Sequence, residues 1–227
     1  MAVEIGPGRG ALTEFLLPRA AKVIAIEVDT VLVHYLRHKF SDAIDGGQLE
    51  IIEGDILRVD LAALGAGPVI VGNLPYYITS PILEKTFSLG SHWARAVFLV
   101  QAEVAARITA APGTRDFGYL SVLVQAQSRA ELLFPVSRAA FHPAPKVDSA
   151  VVRLTPRDGA AELGVASVPG FLKFAQHCFR HKRKTLRNNL APVYGVENIE
   201  VLPEARLRAE QLGVAELAAL FRKLTRA

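Results

Sequence analysis

Five short apolar runs rich in β-branched residues, Ala2–Ile5, Val23–Ile26, Leu49–Ile52, Val69–Val71 and Ala96–Val100, recur with helix-length intervals between them. Strands buried on both faces read as continuous apolar runs, and parallel neighbours need a crossover of a dozen or more residues, usually a helix. The rhythm therefore predicts an α/β fold built on a mostly parallel sheet. Two further strand candidates, near Ala130–Pro135 and Ser149–Leu154, flank Phe141-His142-Pro143-Ala144-Pro145, where the prolines forbid helix. They are expected to pair as an antiparallel edge, giving seven strands in all. After Thr155 the chain changes character: Pro156 to Gly170 is rich in Gly, Ala and Pro, and the patterns beyond are helical as far as Arg226. A first domain over Met1–Thr155 and a small all-helical domain over 156–227 follow from that change.

Composition narrows the setting. With 51% apolar residues the chain has the material for a core, and no apolar run approaches the roughly 20 residues that span a bilayer. The N-terminus lacks the charged-then-apolar profile of a signal peptide, and the single cysteine, Cys178, cannot form an internal disulfide. A cytoplasmic, membrane-free monomer is the expectation, with no chemical role for Cys178 and no metal site. The net charge is +4, yet Phe171–Leu190 alone holds six Lys or Arg and no Asp or Glu, so the rest of the chain carries −2. Such local positive charge suits contact with a phosphate backbone, although many charged helix faces only meet water.

The chemistry is concentrated at strand ends. The first strand runs into Glu4-Ile5-Gly6-Pro7-Gly8-Arg9-Gly10, followed by helical spacing from Ala11 to Leu17. Glycines between strand and helix let the backbone approach a ligand and offer it amide groups. The spacing is G-x-G-x-G, not the G-x-G-x-x-G of a dinucleotide site. The second strand ends at Glu27, followed by Val28, where an acid can accept ribose hydroxyl hydrogens. The third ends in Glu53-Gly54-Asp55-Ile56, where Asp55 can accept from an adenine amino group and Ile56 can line the ring. Each feature has an ordinary explanation: a tight turn, an exposed strand-end acid, a helix cap before Leu57. Together they predict an adenosine-containing cofactor at the carboxyl edge of the sheet. The fourth strand ends in Asn73-Leu74-Pro75-Tyr76-Tyr77, an amide, a proline and two rings.

This series, glycine-rich turn, acidic second and third strand ends, then Asn-Leu-Pro-Tyr, resembles the S-adenosylmethionine-dependent methyltransferases that modify N6 of adenine. NLPYYITSPIL, AFHPAPKVDSAVVRL at Ala140–Leu154 and FRHKRKTLRNNL at Phe179–Leu190 narrow the resemblance to the bacterial 16S rRNA adenine N6,N6-dimethyltransferases, the KsgA/RsmA family. The resemblance runs from Met1 almost to the C-terminus. It implies a Rossmann-like class I methyltransferase sheet and dimethylation of two adjacent adenosines near the 3′ end of 16S rRNA, within the small ribosomal subunit or its precursor. S-adenosylmethionine would be held by Glu4, Gly6, Gly8, Glu27, Val28, Asp55, Ile56 and Asn73. The base would be held by Asn73, Leu74, Pro75, Tyr76 and Phe141: Asn73 and the Leu74 carbonyl accept the amino hydrogens, Pro75 fixes the turn, and the two rings stack on the base. No catalytic acid or base is assigned; His142 reads as a loop residue and Tyr77 as packing.

In the basic segment Lys173, Arg180, Lys184 and Arg187 have the spacing of one helical face, and with Arg183 they form the expected RNA contact. Lys182 falls within the opposing apolar stripe, so the helix either breaks there or the lysine snorkels. Family members carry a few dozen residues ahead of the glycine-rich strand, including a GQ-H/N-FL-like segment that helps close the cofactor pocket. Here Met1 stands one residue before that strand. The sheet is complete without the segment, so the fold is expected to stand, with cofactor affinity and turnover the properties that depend on it. Three other readings stay open: a 23S rRNA adenine N6-methyltransferase, a non-catalytic ribosome-assembly or RNA-binding factor, and a nicotinamide oxidoreductase, which the glycine spacing opposes.

Overall fold

A computed structural model describes residues 1–225; the expected helical end at Arg226 lies outside the described residues. The sheet has seven strands, β1 Ala2–Ile5, β2 Val23–Glu27, β3 Leu49–Glu53, β4 Val69–Asn73, β5 Arg95–Gln101, β6 Ser128–Val136 and β7 Ser149–Pro156. Their order is β3-β2-β1-β4-β5-β7-β6. Strands β1 to β5 pair in parallel, and β7 runs antiparallel to β5. The antiparallel strand is therefore inserted between β5 and the outermost β6. All four residues of β1 and all five of β2 are buried, Glu4 and Glu27 among them, so two carboxylates lie within otherwise apolar runs.

Helices α1 Thr13–Leu16, α2 Thr30–Lys39, α3 Ser41–Asp45 and α4 Thr79–Phe87 connect the parallel strands. Helix α2 starts at Asp29, whose carboxylate accepts the Val31 and Leu32 N–H groups at 2.8 and 3.2 Å, and closes on Arg37, His38 and Lys39, matching the helix dipole at both ends. The helix after the glycine-rich turn is shorter than the spacing predicts: it passes into a 3₁₀ turn at Leu17–Arg19, where Pro18 removes a donor. Among the described residues no helix is long and apolar enough to cross a membrane.

The chain divides into two compact units. The first comprises Met1–Ala105 and Glu131–Pro156; the second comprises Ala106–Ala130 and the chain from Arg157 onward. Composition marks the passage near Thr155 but gives no sign of the excursion of Ala106–Ala130. The chain leaves the first unit within α5 (Ala102–Thr109), and α6 (Tyr119–Gln125) belongs to the second.

The second unit is built from α6 together with α7 Gly159–Leu163, α8 Val168–Phe179, α9 Leu186–Tyr194, α10 Val196–Glu200 and α11 Val214–Thr225, around Phe117, Phe171, Phe174, Leu186, Leu190 and Leu217. Cys178 is buried in that core, and burial pushes its thiol well above the ordinary range, out of reach of redox or nucleophilic work. The single basic helical face is not formed. Helix α8 ends at Phe179, a turn covers the next residues, and α9 begins only at Leu186. The break is held by Asn189, only 4% exposed, whose amide donates to the carbonyls of Cys178 (2.8 Å) and His181 (3.2 Å) and accepts the His181 N–H at 3.2 Å. These bonds satisfy carbonyls that the end of α8 leaves open. Of the two alternatives for Lys182 the break is the one formed: the residue lies in the turn between α8 and α9 and donates to the Arg115 carbonyl at 2.5 Å.

Candidate functional site

The parallel register brings four strand ends to one edge. Ile5 lies between Ile26 and Gly72, and Glu27 is paired with Glu53, so the turns that follow β1, β2, β3 and β4 are neighbours. Gly6 and Gly8 adopt positive φ (65° and 58°), and no atom lies within 4 Å of where a Cβ would stand on either. Their outer faces form an open cradle. Gly10, also at positive φ, instead sits against Phe40 and Leu36, where a side chain would collide.

Glu27 fastens this turn. Its carboxylate accepts the Gly8 N–H at 3.1 Å on one oxygen and the Val28 and Asp29 N–H groups at 2.9 and 3.0 Å on the other. The sequence pointed to Glu27 as a ligand group; in the structure its first work is to tie the end of β2 to the glycine-rich turn. A carboxylate has about four lone-pair sites, so acceptor capacity remains for a ribose. Lys39 holds the same turn from outside, donating to the Arg9 carbonyl at 3.0 Å and pairing with Glu14 at 2.5 Å. Glu4 is 1% exposed, and one of its carboxylate oxygens accepts the Thr13 hydroxyl at 2.6 Å. Burial raises its pKa above the usual carboxylate range, and the nearby Glu27 charge adds to the rise.

The remaining cofactor candidates are arranged around the cradle's rim. Val28 is exposed, Ile56 is buried behind the β3 end, and Asp55 is partly exposed while accepting the Leu57 N–H at 2.9 Å. That bond is the local cap weighed from sequence and engages one carboxylate oxygen, while the other lies 4.0 Å from Arg58 Nε. An exposed apolar side chain, a partly open carboxylate and an open glycine turn fit an adenosine-bearing ligand.

The five base-site candidates are brought together. Asn73, Leu74, Pro75, Tyr76 and Phe141, with Pro143 and Pro145, line a cavity of about 340 Å³ at the tip of β4. Asn73 is exposed at the strand end, and Leu74 is buried, its N–H donating to the Leu99 carbonyl at 3.0 Å. The turn is fixed by two bonds to the Pro75 carbonyl, from the Ile78 N–H at 3.1 Å and the Thr79 hydroxyl at 3.2 Å. Pro143 and Pro145 were read from sequence only as helix breakers; they are cavity wall. Tyr77, expected to pack, is 86% exposed, because the turn that aims Tyr76 at the cavity sends the next side chain outward. His142 is an exposed loop residue, as expected. A larger groove, about 530 Å³, lies along the outer strand among Lys22, Arg37, Asp45, Leu49 and Glu50; it starts from the other end of β3.

Lys173, Arg180, Arg183 and Lys184 are all exposed in the second unit. Arg187, also exposed, is engaged by Glu200 in a salt bridge, a partner that lies beyond the basic segment ending at Leu190.

A mostly parallel seven-stranded sheet in this order, with an open glycine turn on the first strand and a polar-aromatic cavity at the tip of the fourth, defines a Rossmann-like methyltransferase. The family model "Ribosomal RNA adenine dimethylase" matches residues 1–224, and the chain belongs to that family. A relative from Acidobacterium capsulatum, named "Ribosomal RNA small subunit methyltransferase A", is 45% identical over 98% of this chain and 80% of its own length. A protein of the same name from Koribacter versatilis is 41% identical over 98% of this chain and 84% of its own. Among solved structures, a dimethyladenosine transferase from Plasmodium falciparum superposes with a TM-score of 0.81 at 26% identity, covering 98% of this chain and 87% of that one. The 23S rRNA methyltransferase ErmE gives 0.71 at 25% identity, covering 99% and 90%.

Proposed function

We propose that this protein transfers methyl groups from S-adenosylmethionine to N6 of adenosine in small-subunit ribosomal RNA, dimethylating two adjacent adenosines near the 3′ end of 16S rRNA. The observation that carries the reading is the cavity at the β4 tip, which gathers an exposed amide, a fixed proline turn and two aromatic rings one strand away from the open glycine cradle.

The N6 lone pair of adenine is delocalised into the ring, so the amino group attacks poorly while planar. Asn73 Oδ1 and the Leu74 carbonyl each accept one amino hydrogen and draw the nitrogen toward tetrahedral geometry. Pro75 keeps the two acceptors aimed at one point. Tyr76 and Phe141 take the faces of the flipped-out base, each stacking contact worth about 1–3 kcal/mol. Gly6, Gly8, Glu27, Val28, Asp55 and Ile56 would hold the cofactor, with Glu4 supporting their turn through Thr13. Bound there, S-adenosylmethionine supplies a methyl group already activated by its sulfonium. The protein's own contribution is position rather than acid or base catalysis.

The first unit then carries the chemistry, and the exposed cations of the second, Lys173, Arg180, Arg183 and Lys184 with Arg187, meet the RNA backbone. A partner recognised by backbone and shape suits that surface. A cytoplasmic monomer acting on the assembling small subunit completes the reading.

The test is methyl transfer from labelled S-adenosylmethionine to small ribosomal particles that lack the modification, with free 23S rRNA as competitor and mass spectrometry of the nucleosides. The expected product is N6,N6-dimethyladenosine in the small particles, lost in Asn73→Ala. Label appearing in 23S rRNA alone would move the protein to the large subunit. Small-particle binding without transfer would make it an assembly factor.

A further inference from the structure

The two rings of the β4-tip cavity, Tyr76 and Phe141, come from segments far apart in the chain, and a base can stack on both only if their separation and tilt are fixed. Neither ring sits on a strand. Both are held from one place, the dipeptide Asp148-Ser149 at the start of β7.

Ser149 is the first residue of β7 and is paired with Gln101 of β5, so its backbone is part of the sheet. Its side chain is 1% exposed, and its hydroxyl lies 3.1 Å from the Tyr76 hydroxyl, the two joined by a hydrogen bond. Asp148 is anchored to the same strand end, its carbonyl accepting the Ala102 N–H at 3.0 Å. Its carboxylate accepts the Arg138 N–H at 2.9 Å, and the Arg138 carbonyl accepts the Phe141 N–H at 3.2 Å. One ring is thus reached through a hydroxyl pair and the other through a two-step backbone relay. Both paths begin at the foot of β7, one on its first residue and one on the residue before it, whose carbonyl is tied to Ala102.

We infer that Asp148 and Ser149 are positioning residues that set the gap between Tyr76 and Phe141. Neither touches the base; they act through the rings. The inference rests on the reading that this cavity receives adenine. A buried Ser149 hydroxyl needs a partner, and the phenol of Tyr76 supplies it, so the ring's tilt is fixed by a bond that stacking alone does not require. Phe at position 76 would keep the stacking surface and lose that orientation.

The experiment is steady-state methyl transfer at saturating S-adenosylmethionine with the small ribosomal particle varied, comparing wild type, Ser149→Ala, Tyr76→Phe, their double variant, Asp148→Ala and Asp148→Asn. Ser149→Ala, Tyr76→Phe and Asp148→Ala are each expected to raise the particle KM by about three- to ten-fold, the size of one missing hydrogen bond. The KM for S-adenosylmethionine should stay at its wild-type value, while Tyr76→Phe, which leaves the buried Ser149 hydroxyl without a partner, should lower the melting temperature more than Ser149→Ala does. The double variant should be no worse than either single one, because both break the same hydrogen bond. Asp148→Asn, which keeps an acceptor oxygen, should restore the wild-type KM. Additive effects of Ser149→Ala and Tyr76→Phe, an unchanged KM in Ser149→Ala, or a loss confined to melting temperature would each overturn the inference. Asn73→Ala separates it from the reading beneath it: wild-type transfer that is lost in Asn73→Ala but untouched by Ser149→Ala rejects the positioning role alone. A wild type that never methylates adenosine N6 rejects both.

Discussion

Gly72 of β4 lies beside Ile5 of β1 with no room for a side chain: a Cβ on Gly72 would stand 2.8 Å from the Ile5 carbonyl oxygen and 3.1 Å from Leu74 Cδ2. This close approach links the two halves of the candidate site. Ile5 leads directly into Gly6 and the open glycine cradle, and Gly72 leads directly into Asn73 and the β4-tip cavity. On the proposed function, the distance between methyl donor and amino group would be set by strand packing, upstream of any residue that touches either ligand.

Replacing Gly72 with Ala should force β1 and β4 apart. Overpacking of this kind costs about 1–3 kcal/mol, read as a lower midpoint in denaturant unfolding. Methyl transfer should fall further than stability does, since a shift of about 1 Å between reacting groups can cost on the order of a hundred-fold in rate. A variant that keeps both its midpoint and its kcat/KM would show that the approach is slack and the site geometry set elsewhere.

Glu4 makes stability depend on pH in a direction opposite to that of an ordinary salt-bridged acid. Its pKa is raised above the ordinary value of 4.5, chiefly by burial and then by the Glu27 charge, the Thr13 hydrogen bond opposing them. Between the unfolded and folded pKa values the native state holds the extra proton, so stability falls as pH rises through that window. The contribution is whole below about pH 4.5 and lost above the raised folded value. Glu4→Gln, always neutral, should lack this decline. Unfolding free energies of the two proteins from about pH 4 to pH 8 should converge or cross as pH rises, with the variant gaining on the wild type; parallel curves would mean that Glu4 ionises as it does in the unfolded chain.

Asn189 should be among the most sensitive positions of the helical unit. Its amide joins the end of α8 to the start of α9 through three hydrogen bonds, two given and one accepted. Asn189→Ala leaves buried backbone groups without partners, at about 1–3 kcal/mol each for those that water cannot reach. The expected result is a loss of about 2–4 kcal/mol in unfolding free energy. Asn189→Asp should be no better, because a carboxylate cannot donate to the Cys178 and His181 carbonyls.

How much of this was legible in the sequence depended on the range of the interaction that decides each feature. The strands were readable because burial on both faces demands a mostly apolar run, and β1 begins and ends where its run does, with Glu4 as the one polar residue inside it. The strand-end residues were readable because a parallel sheet carries all its carboxyl ends to one side, whatever the details of packing. Contacts between distant segments were not readable. Nothing local marks Gly72 as pressed against Ile5, Ser149 as the partner of Tyr76, or Asn189 as the bracket that ends α8. For the last of these only Lys182, out of place in the apolar stripe, signalled a break: Lys173, Arg180, Lys184 and Arg187 keep helical spacing across a place where the helix has stopped, because periodicity is blind to a side chain that caps from further along the chain. Tyr77 failed for a related reason, since the turn that points one ring inward must point the next outward.

The broken helix changes which cations should matter for RNA. Arg187 is paired with Glu200 and Lys182 is tied to the Arg115 carbonyl, whereas Arg180, Arg183 and Lys184 stand exposed on the turn between α8 and α9. A cation already neutralised by a carboxylate releases fewer counterions when it meets a phosphate. The triple variant Arg180→Ala, Arg183→Ala, Lys184→Ala should therefore weaken binding to small ribosomal particles strongly and flatten its salt dependence, by about 0.7–0.9 in log–log slope for each phosphate that no longer meets a cation. Arg187→Ala should change the slope by less than any one of these three. Equal slopes for Arg187→Ala and for the single variants of the turn would mean that Arg187 meets the RNA as fully as the turn does despite Glu200; a slope untouched by the triple variant would take the RNA off this surface altogether.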